Sequence, residues 1–440
     1  MNENKKKYGL WISLGALLIL AAVAVTLWFP WRKKEVTLTL GIFAGSNWDV
    51  PIGNCYAVAD DVIARFEADH PGVKVRYTSG ILKNDYSEWL AEQVLQGKAP
   101  DVYMVLADDF NLYSSLGAMK DLEPLMRGDA EFERGEYYSA AFEFGQFQGK
   151  QYALPYESVP TLMFVNKTLL QKEGIPMPSG DWTWDQFYEI CRKVTKDTDG
   201  NGVIDQFGTY DYTWKNAAYS NGAVLFNEDG TTSYFGDSKM EEAVKFVKDL
   251  NSLNDGYLVT SKAFDMGRVA FQPFSFSEYR TYKPYPWRIK KYSDFEWDCI
   301  KLPAGPQGEN VSELSTLLMG INGKTKEEKL AWELLKMFCY DKETQRKLFT
   351  DAEGVSVLRE VTESSEVMEM LNRDTPGSSY LNMGLLSEVM DSAVVTPKFR
   401  KYEGAMSLAG TGISEIINGQ RTLDNGLLVL QREINNYIRN

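Results

Sequence analysis

The chain has 440 residues, a formal net charge of −14 and 44% hydrophobic residues, the composition of a globular protein with a sizeable core. Residues 1–34 carry six Lys/Arg and one acid, net +5, so the remainder stands at −19, a balance unsuited to gripping a phosphate backbone; no nucleic-acid partner is expected. The single histidine, His70, excludes a multi-histidine zinc site and the HExxH motif, and its place in "ADHPG" makes it a turn residue ahead of Pro71.

The N-terminus stands apart. "MNENKKK" is basic, and Tyr8 to Phe29 carry no charge. At 1.5 Å per residue this run spans a hydrocarbon layer of about 30 Å. It is long for a signal-peptide core, so residues 1–35 are expected to form a cytoplasmic tail and an uncleaved transmembrane anchor. No cysteine follows the span closely, which argues against a lipidated cysteine. The chain beyond it is therefore expected on the extracellular face of the cytoplasmic membrane. Cys55, Cys191, Cys299 and Cys339 form no CxxC pair, and Cys191 and Cys339 fall in apolar helical patterns as small buried hydrophobes.

"VTLTLGIF" from Val36 reads as a strand entering a core, and "VADDVIARFEADHPG" as a helix with Val58, Val62 and Phe66 inward and a stop at Pro71. "VKVRY" alternates as a strand. "DYSEWLAEQVLQGKAP" is a helix closed by Gly97 and Pro100, and "DVYMVL" is a buried strand. Strand–helix alternation of this kind predicts βαβ units and a mainly parallel sheet. Gln151–Ile175 reads as a long extended connection interrupted by Pro155 and Pro160, with "TLMFVN" a second buried strand. A helix follows, with Thr183 as N-cap, Gln186 as its capping-box partner, and Phe187, Ile190, Cys191 and Val194 on one face. Helices are predicted at Met240–Leu253, through "KEEKLAWELLKMFCYDKETQRKLF" as one long unit with Leu330, Leu334, Leu335 and Phe338 inward, and at the C-terminus; "WDCI" and "STLLMGIN" read as strands. The pattern is α/β, in two lobes with more than one crossing strand.

In this order the pieces resemble the extracellular solute-binding proteins of carbohydrate ABC importers, the maltodextrin-binding-like group of family 1. The resemblance covers about residues 36–440. It is carried by "FEADHPGVKVRY", "GKAPDVYMVLADDFNLYSSLGAMKDLEPLM", "YALPYESVPTLMFVNKTLLQKEGIPMP", "TWDQFYEICRKVTKDTDGNGVIDQFG", "GRVAFQPFSFSEYR", "IKLPAGPQGE" and "INGQRTLDNGL". It implies a two-lobed periplasmic-binding-protein-like fold with a ligand cleft and hinge. Residues 36–150 with 302–360 would form the N-lobe, and 151–301 with 361–440 the C-lobe. The implied function is non-enzymatic: capture of an oligosaccharide, and delivery to the importer's permease subunits by cleft closure. A membrane helix in place of the usual lipidated cysteine leaves a second reading open, a membrane-anchored sugar sensor or scaffold without transport.

Sugar recognition needs aromatic faces for the C–H surfaces of a pyranose and polar forks for its hydroxyls. Ligands in open α/β sheets gather at carboxyl ends of strands, which selects Asn47, Trp48 and Asp49 after the first strand, and Asp108 and Phe110 after the third. The family resemblance adds Tyr156 and Glu157 from the crossing segment. From the C-lobe come Tyr210, Asp211 and Trp214, then Phe276, Glu278 and Tyr279, and Tyr402 near the C-terminus. No pair of carboxylates singles out a glycosidase, and no P-loop or GxGxxG element calls for an organic cofactor. "DTDGNGVIDQFG" opens like an EF-hand, with Asp197, Asp199, Asn201 and Asp205 in ligand positions, but Gly208 stands where the bidentate Glu belongs. The Val203 carbonyl and Gln206 complete a candidate structural calcium site; an Asp/Gly turn closed by its own side chains is the alternative.

Overall fold

A computed structural model describes residues 35–48, 53–227, 229–278, 295–349, 354–373, 383–397, 399 and 401–440. In chain order the elements that build the frame are β1 (Val36–Gly41), α1 (Ala57–Asp69), β2 (Val73–Tyr77), α2 (Lys83–Leu95), β3 (Val102–Val105), α3 (Ala107–Ser115) and β4 (Ala153–Asn166). There follow α4 (Trp184–Val194), β5 (Phe207–Thr209), α5 (Trp214–Ser220), α6 (Ser238–Ser252), β6 (Val269–Ser275), β7 (Trp297–Ile300) and β8 (Leu314–Ile321). Three long helices close the chain: α7 (Glu328–Cys339), α8 (Tyr402–Ile417) and α9 (Leu423–Arg439).

The eight strands share one sheet, ordered β2-β1-β3-β8-β4-β6-β5, with β7 also pairing with β4. Only β1–β2, β1–β3 and β5–β6 are parallel; β8 runs antiparallel to β3 and β4, and β4 antiparallel to β6 and β7. The expectation of a mainly parallel sheet thus holds for the first βαβ units and fails beyond them, because β8 returns late in the chain to fill the place beside β3.

β4 carries the two-lobed design. Its residues 153–160 pair with β8, and residues 161–166 pair with β6 and β7. One fourteen-residue strand therefore belongs to both lobes, where the sequence suggested an interrupted connection. Both prolines fit because neither breaks a regular ladder. Pro155 sits at the register shift opposite Leu317/Leu318, and Pro160 at the last β8 pair before β4 changes partner.

Local chemistry accounts for the helices. The Thr183/Gln186 capping box at α4 is formed, with Phe187, Cys191 and Val194 buried beneath it. The expected long helix after residue 326 breaks into α7 and a short helix at Lys342–Lys347. Asp341 starts the second by accepting from Thr344 N, which turns the chain at Tyr340–Asp341. Leu334, Leu335 and Phe338 are fully buried, whereas Leu330 is half-buried at the rim. His70 caps the end of α1 and bridges to Glu333 of α7 at 2.6 Å, a structural position. All four cysteines are free thiols, with Cys191, Cys299 and Cys339 buried.

The helices at Ser365–Arg373 and Met383–Ser392, grouped with the C-lobe on sequence, pack on N-lobe elements: the Tyr138 hydroxyl meets Ser387 Oγ at 2.9 Å, and Arg359 holds Asp391. No helix of the described residues is long and apolar enough to cross a membrane. The anchor expected within residues 1–35 lies outside them but for Glu35.

Candidate ligand cleft

A cleft of about 670 Å³ opens between the lobes. The N-lobe lines it with Asn47 and Trp48 after β1, Lys83 at the start of α2, Leu106, Ala107 and Asp108 at the start of α3, and Phe144. Its floor is β8, through Leu314, Ser315 and Thr316 with Glu313 ahead of them, and the C-lobe supplies Lys215, Ser275, Glu278, Thr396, Tyr402, Glu403 and Met406. Strand ends and helix starts place these groups, as expected of an open α/β sheet.

The cleft is internally tied. Lys83 Nζ donates to the Asn47 carbonyl and pins the loop after β1. Trp48 N donates to Ser46 Oγ at 3.0 Å. Glu278 is drawn back onto its own turn, where it accepts from Ser275 N at 2.8 Å and Ser275 Oγ at 2.9 Å. Lys215 Nζ lies 3.3 Å from Glu313 Oε2. Below the floor, Thr316 Oγ1 and Ser158 Oγ share a hydrogen bond of 2.9 Å between β8 and β4. Asn111 Nδ2 donates to the Phe399 carbonyl at 3.2 Å, a link from α3 to the C-terminal segment.

Burial pushes the Glu403 carboxyl up to about 7, with Asp108 and Glu313 adding to the rise and Lys215 opposing it. Asp108 and Glu403 both line the cleft, and the nearness of Asp108 disfavours ionisation of Glu403. Burial likewise raises the Tyr402 hydroxyl. Aromatic faces from Trp48, Phe144 and Tyr402 stand beside carboxylates and the hydroxyls of Ser315, Thr316 and Thr396, a set that can stack on a ring and bond several hydroxyls.

Of the residues selected on sequence, Asn47, Trp48, Asp108, Glu278 and Tyr402 line this cleft. Phe110 and Phe276 are fully buried in the core. Asp108 and Phe110 are two apart on α3, so when one faces the cleft the other turns inward. Tyr156 and Glu157 are buried in β4 and line a separate space of about 40 Å³ beneath the loop after β1. Tyr210 and Trp214 are half-buried against the core and Asp211 is exposed at φ +59°; none of the three lines the cleft. Asp49 and Tyr279 lie outside the described residues. Lys83, Phe144, Lys215, Glu313, Thr396 and Glu403 were missed. Lys215 and Glu403 sit next to residues that were chosen, and Phe144 reaches the cleft only by tertiary packing.

The 197–206 loop closes on itself. Asp197 accepts from the N–H groups of Asp199, Gly200 and Gly202, and the Gly202 contact above all holds its carboxyl below the usual range. Asp199 accepts from Asn201 N, Asn201 Oδ1 from Val203 N, and Asp205 from Thr198 N and Oγ1. Gln206 is buried and donates to the Val194 carbonyl and Glu173. No three His, Cys, Asp or Glu side chains of the described residues converge as a ready metal cage.

The family model for bacterial extracellular solute-binding proteins matches residues 52–343, well over half of the chain. The chain belongs to that family. The family consists of substrate-binding proteins. An uncharacterized lipoprotein from the oleD 5' region of Streptomyces antibioticus is 26% identical over 280 residues, 57% of this chain and 57% of that one. The match therefore spans little more than half of that relative's length. The galactooligosaccharide-binding protein of Bacillus subtilis is 22% identical over 320 residues, 70% of this chain and 72% of that protein. Among solved structures, an ABC substrate-binding protein of Listeria monocytogenes in complex with cycloalternan superposes with a TM-score of 0.70 at 19% identity, over 92% of this chain and 99% of the other. The sugar-binding protein MalE of Xanthomonas citri gives 0.75 at 14% identity, over 92% and 98%. At these identities the superpositions establish the two-lobed α/β solute-binding fold. As a family member this is an extracellular protein.

Proposed function

We propose that this protein is a membrane-anchored receptor that captures an oligosaccharide between its lobes and hands it to an ABC permease when the cleft closes. The observation that carries the reading is the cleft: three aromatic faces beside carboxylates and hydroxyls, contributed by both lobes across a strand that belongs to each. The naming of relatives as galactooligosaccharide- and cycloalternan-binding proteins supports the ligand class. The full chain in detergent is to be titrated calorimetrically with maltotriose, a galactooligosaccharide and cycloalternan, with scattering to follow closure. Saturable heat, a smaller radius of gyration and unchanged glycan support the reading. Silence across the panel, or product release, overturns it. Recovery of a sensor kinase instead of a permease on pull-down from membranes would favour sensing over transport.

Two subsidiary proposals come with it. The apolar run 8–29 anchors the chain, so deleting residues 1–34 releases it from the membrane fraction; retention refutes the anchor. The 197–206 loop takes a structural calcium ion. Its Asx turns already hold Asp197, Asp199 and Asn201 at alternate positions, and small side-chain rotations would gather their oxygens with those of Asp205 and the Val203 carbonyl. The absent twelfth-position Glu makes the site weak. Calcium at millimolar concentration should raise the melting temperature and chelator should reverse the rise; identical melts in both media dismiss the ion.

A further inference from the structure

Two polar atoms beneath the cleft are buried and unpaired. The indole Nε1 of Trp48 has no hydrogen-bond partner, and neither has Oε2 of Glu157. One is a donor. The other is an acceptor whenever the carboxyl carries its proton on the opposite oxygen or has lost it. They are close neighbours that fall short of hydrogen-bond geometry: burial pushes the Glu157 carboxyl up to about 8, and the approach of the Trp48 side chain already pulls it the other way. Buried polar atoms are paired as a rule, so two complementary orphans side by side mark a contact that another state of the molecule completes.

The surroundings say in which direction the contact closes. Glu157 cannot withdraw: Gly354 is packed so closely that a Cβ there would fall 2.2 Å from Glu157 Oε2. The space on the other side, about 40 Å³ lined by Asn47 and Glu157, is too small for a sugar. Trp48, by contrast, lies in the segment after β1, half-buried, and lines the ligand cleft as well. Glu157 stands on β4 opposite Leu317, at the register shift and just ahead of the point where the strand leaves β8 for the C-lobe strands.

We propose that Glu157 is the seat of Trp48: a sugar ring stacking on the indole presses Nε1–H onto Oε2, and the hydrogen bond so formed ties the ligand-facing loop to the crossing strand. Glu157 is then a positioning residue that never touches ligand, and its contact couples occupancy of the cleft to the strand on which the lobes turn. The ligand-dependent half rests on the oligosaccharide reading above.

The test uses the full chain in detergent micelles, labelled with ¹⁵N, with the Trp48 indole resonance assigned through Trp48→Phe. Without ligand, Glu157→Leu should move that resonance and Glu157→Gln, which keeps an acceptor, should leave it near its original place. A resonance indifferent to Glu157→Leu overturns the seat. Saturation with whichever of maltotriose, galactooligosaccharide or cycloalternan binds should then shift the indole proton downfield in the parent and the Gln variant. Affinity should fall about tenfold in the Leu variant and recover in the Gln variant. Binding without the shift, or equal affinity in all three proteins, overturns the coupling while leaving the cleft reading intact. If no sugar binds, the cleft reading falls and takes the coupling with it, and the ligand-free spectra still decide the seat.

Discussion

Replacing Glu157 by Gln should change how stability depends on pH. The carboxyl is 3% exposed, and burial raises it from the ordinary 4.5 to about 8. A raised carboxyl keeps its proton in the folded state after the unfolded chain has lost it. Its contribution is therefore fully present below pH 4.5 and drains away as pH climbs through about 8. Over that interval the change amounts to at most about 5 kcal/mol, close to 1.4 kcal/mol per pH unit. Gln at the same place does not titrate. Urea unfolding of both proteins from pH 4.5 to 8.5 should show the stability of Glu157→Gln gaining on the parent steadily with pH. Water reaching the carboxyl would reduce the slope without changing its sign. Parallel stability profiles would show that Glu157 ionises as freely in the fold as outside it, and the buried-acid description would be wrong.

Other substitutions test separate parts of the structure. Trp48→Ala removes the largest aromatic face of the cleft and should cost about 2 kcal/mol of binding, roughly thirtyfold in Kd, by calorimetry. Gly208→Ala would set a Cβ 2.4 Å from Cys191 Cβ and 2.5 Å from its Cα, so β5 and α4 must separate. A loss of about 3 kcal/mol is expected in chemical denaturation, and a neutral result would contradict that packing. Thr183→Ala breaks the capping box of α4 and should cost about 1 kcal/mol in the same assay.

What the sequence disclosed follows from which interactions are local. The α4 cap and its buried face are written in residues three and four apart, and they are found as expected except that Ile190 is only half-buried. Strands β1, β2 and β3 announce themselves by alternation or short apolar runs between helix signals. The continuity of β4 was hidden because two prolines argue against a central strand, and the bulge and partner change that excuse them depend on β8, some 150 residues later. The same limit applies to the cleft. Position after a strand selected Asn47, Trp48 and Asp108, and all three line the cleft. It could not separate Asp108 from Phe110, because that choice depends on the rotation of α3. Nor could it find Phe144 or Glu403, whose neighbours in the cleft come from the other lobe or from far along the chain.

The position of Glu157 links these points. The family resemblance makes Glu157, in the crossing segment beside Tyr156, a ligand contact. The structure gives it a different position. At the register shift in β4, Glu157 and its neighbour Tyr156 both reach the space beneath the loop after β1. The ligand-facing residue is Trp48, and the acid lies behind it. Exchange of Glu157 for an apolar residue of equal size would remove one orphan and leave the other, the buried indole N–H. Because that N–H is unpaired in the ligand-free parent as well, the cost of such a change falls on ligand binding rather than on the stability of the empty protein. An N–H left without its acceptor in the bound state costs about 1–3 kcal/mol of binding, and with Trp48→Phe the donor is gone, so the double variant should lose less affinity than the sum of the two single losses. Additive losses in that cycle would separate the two residues and leave the strand uncoupled from the cleft.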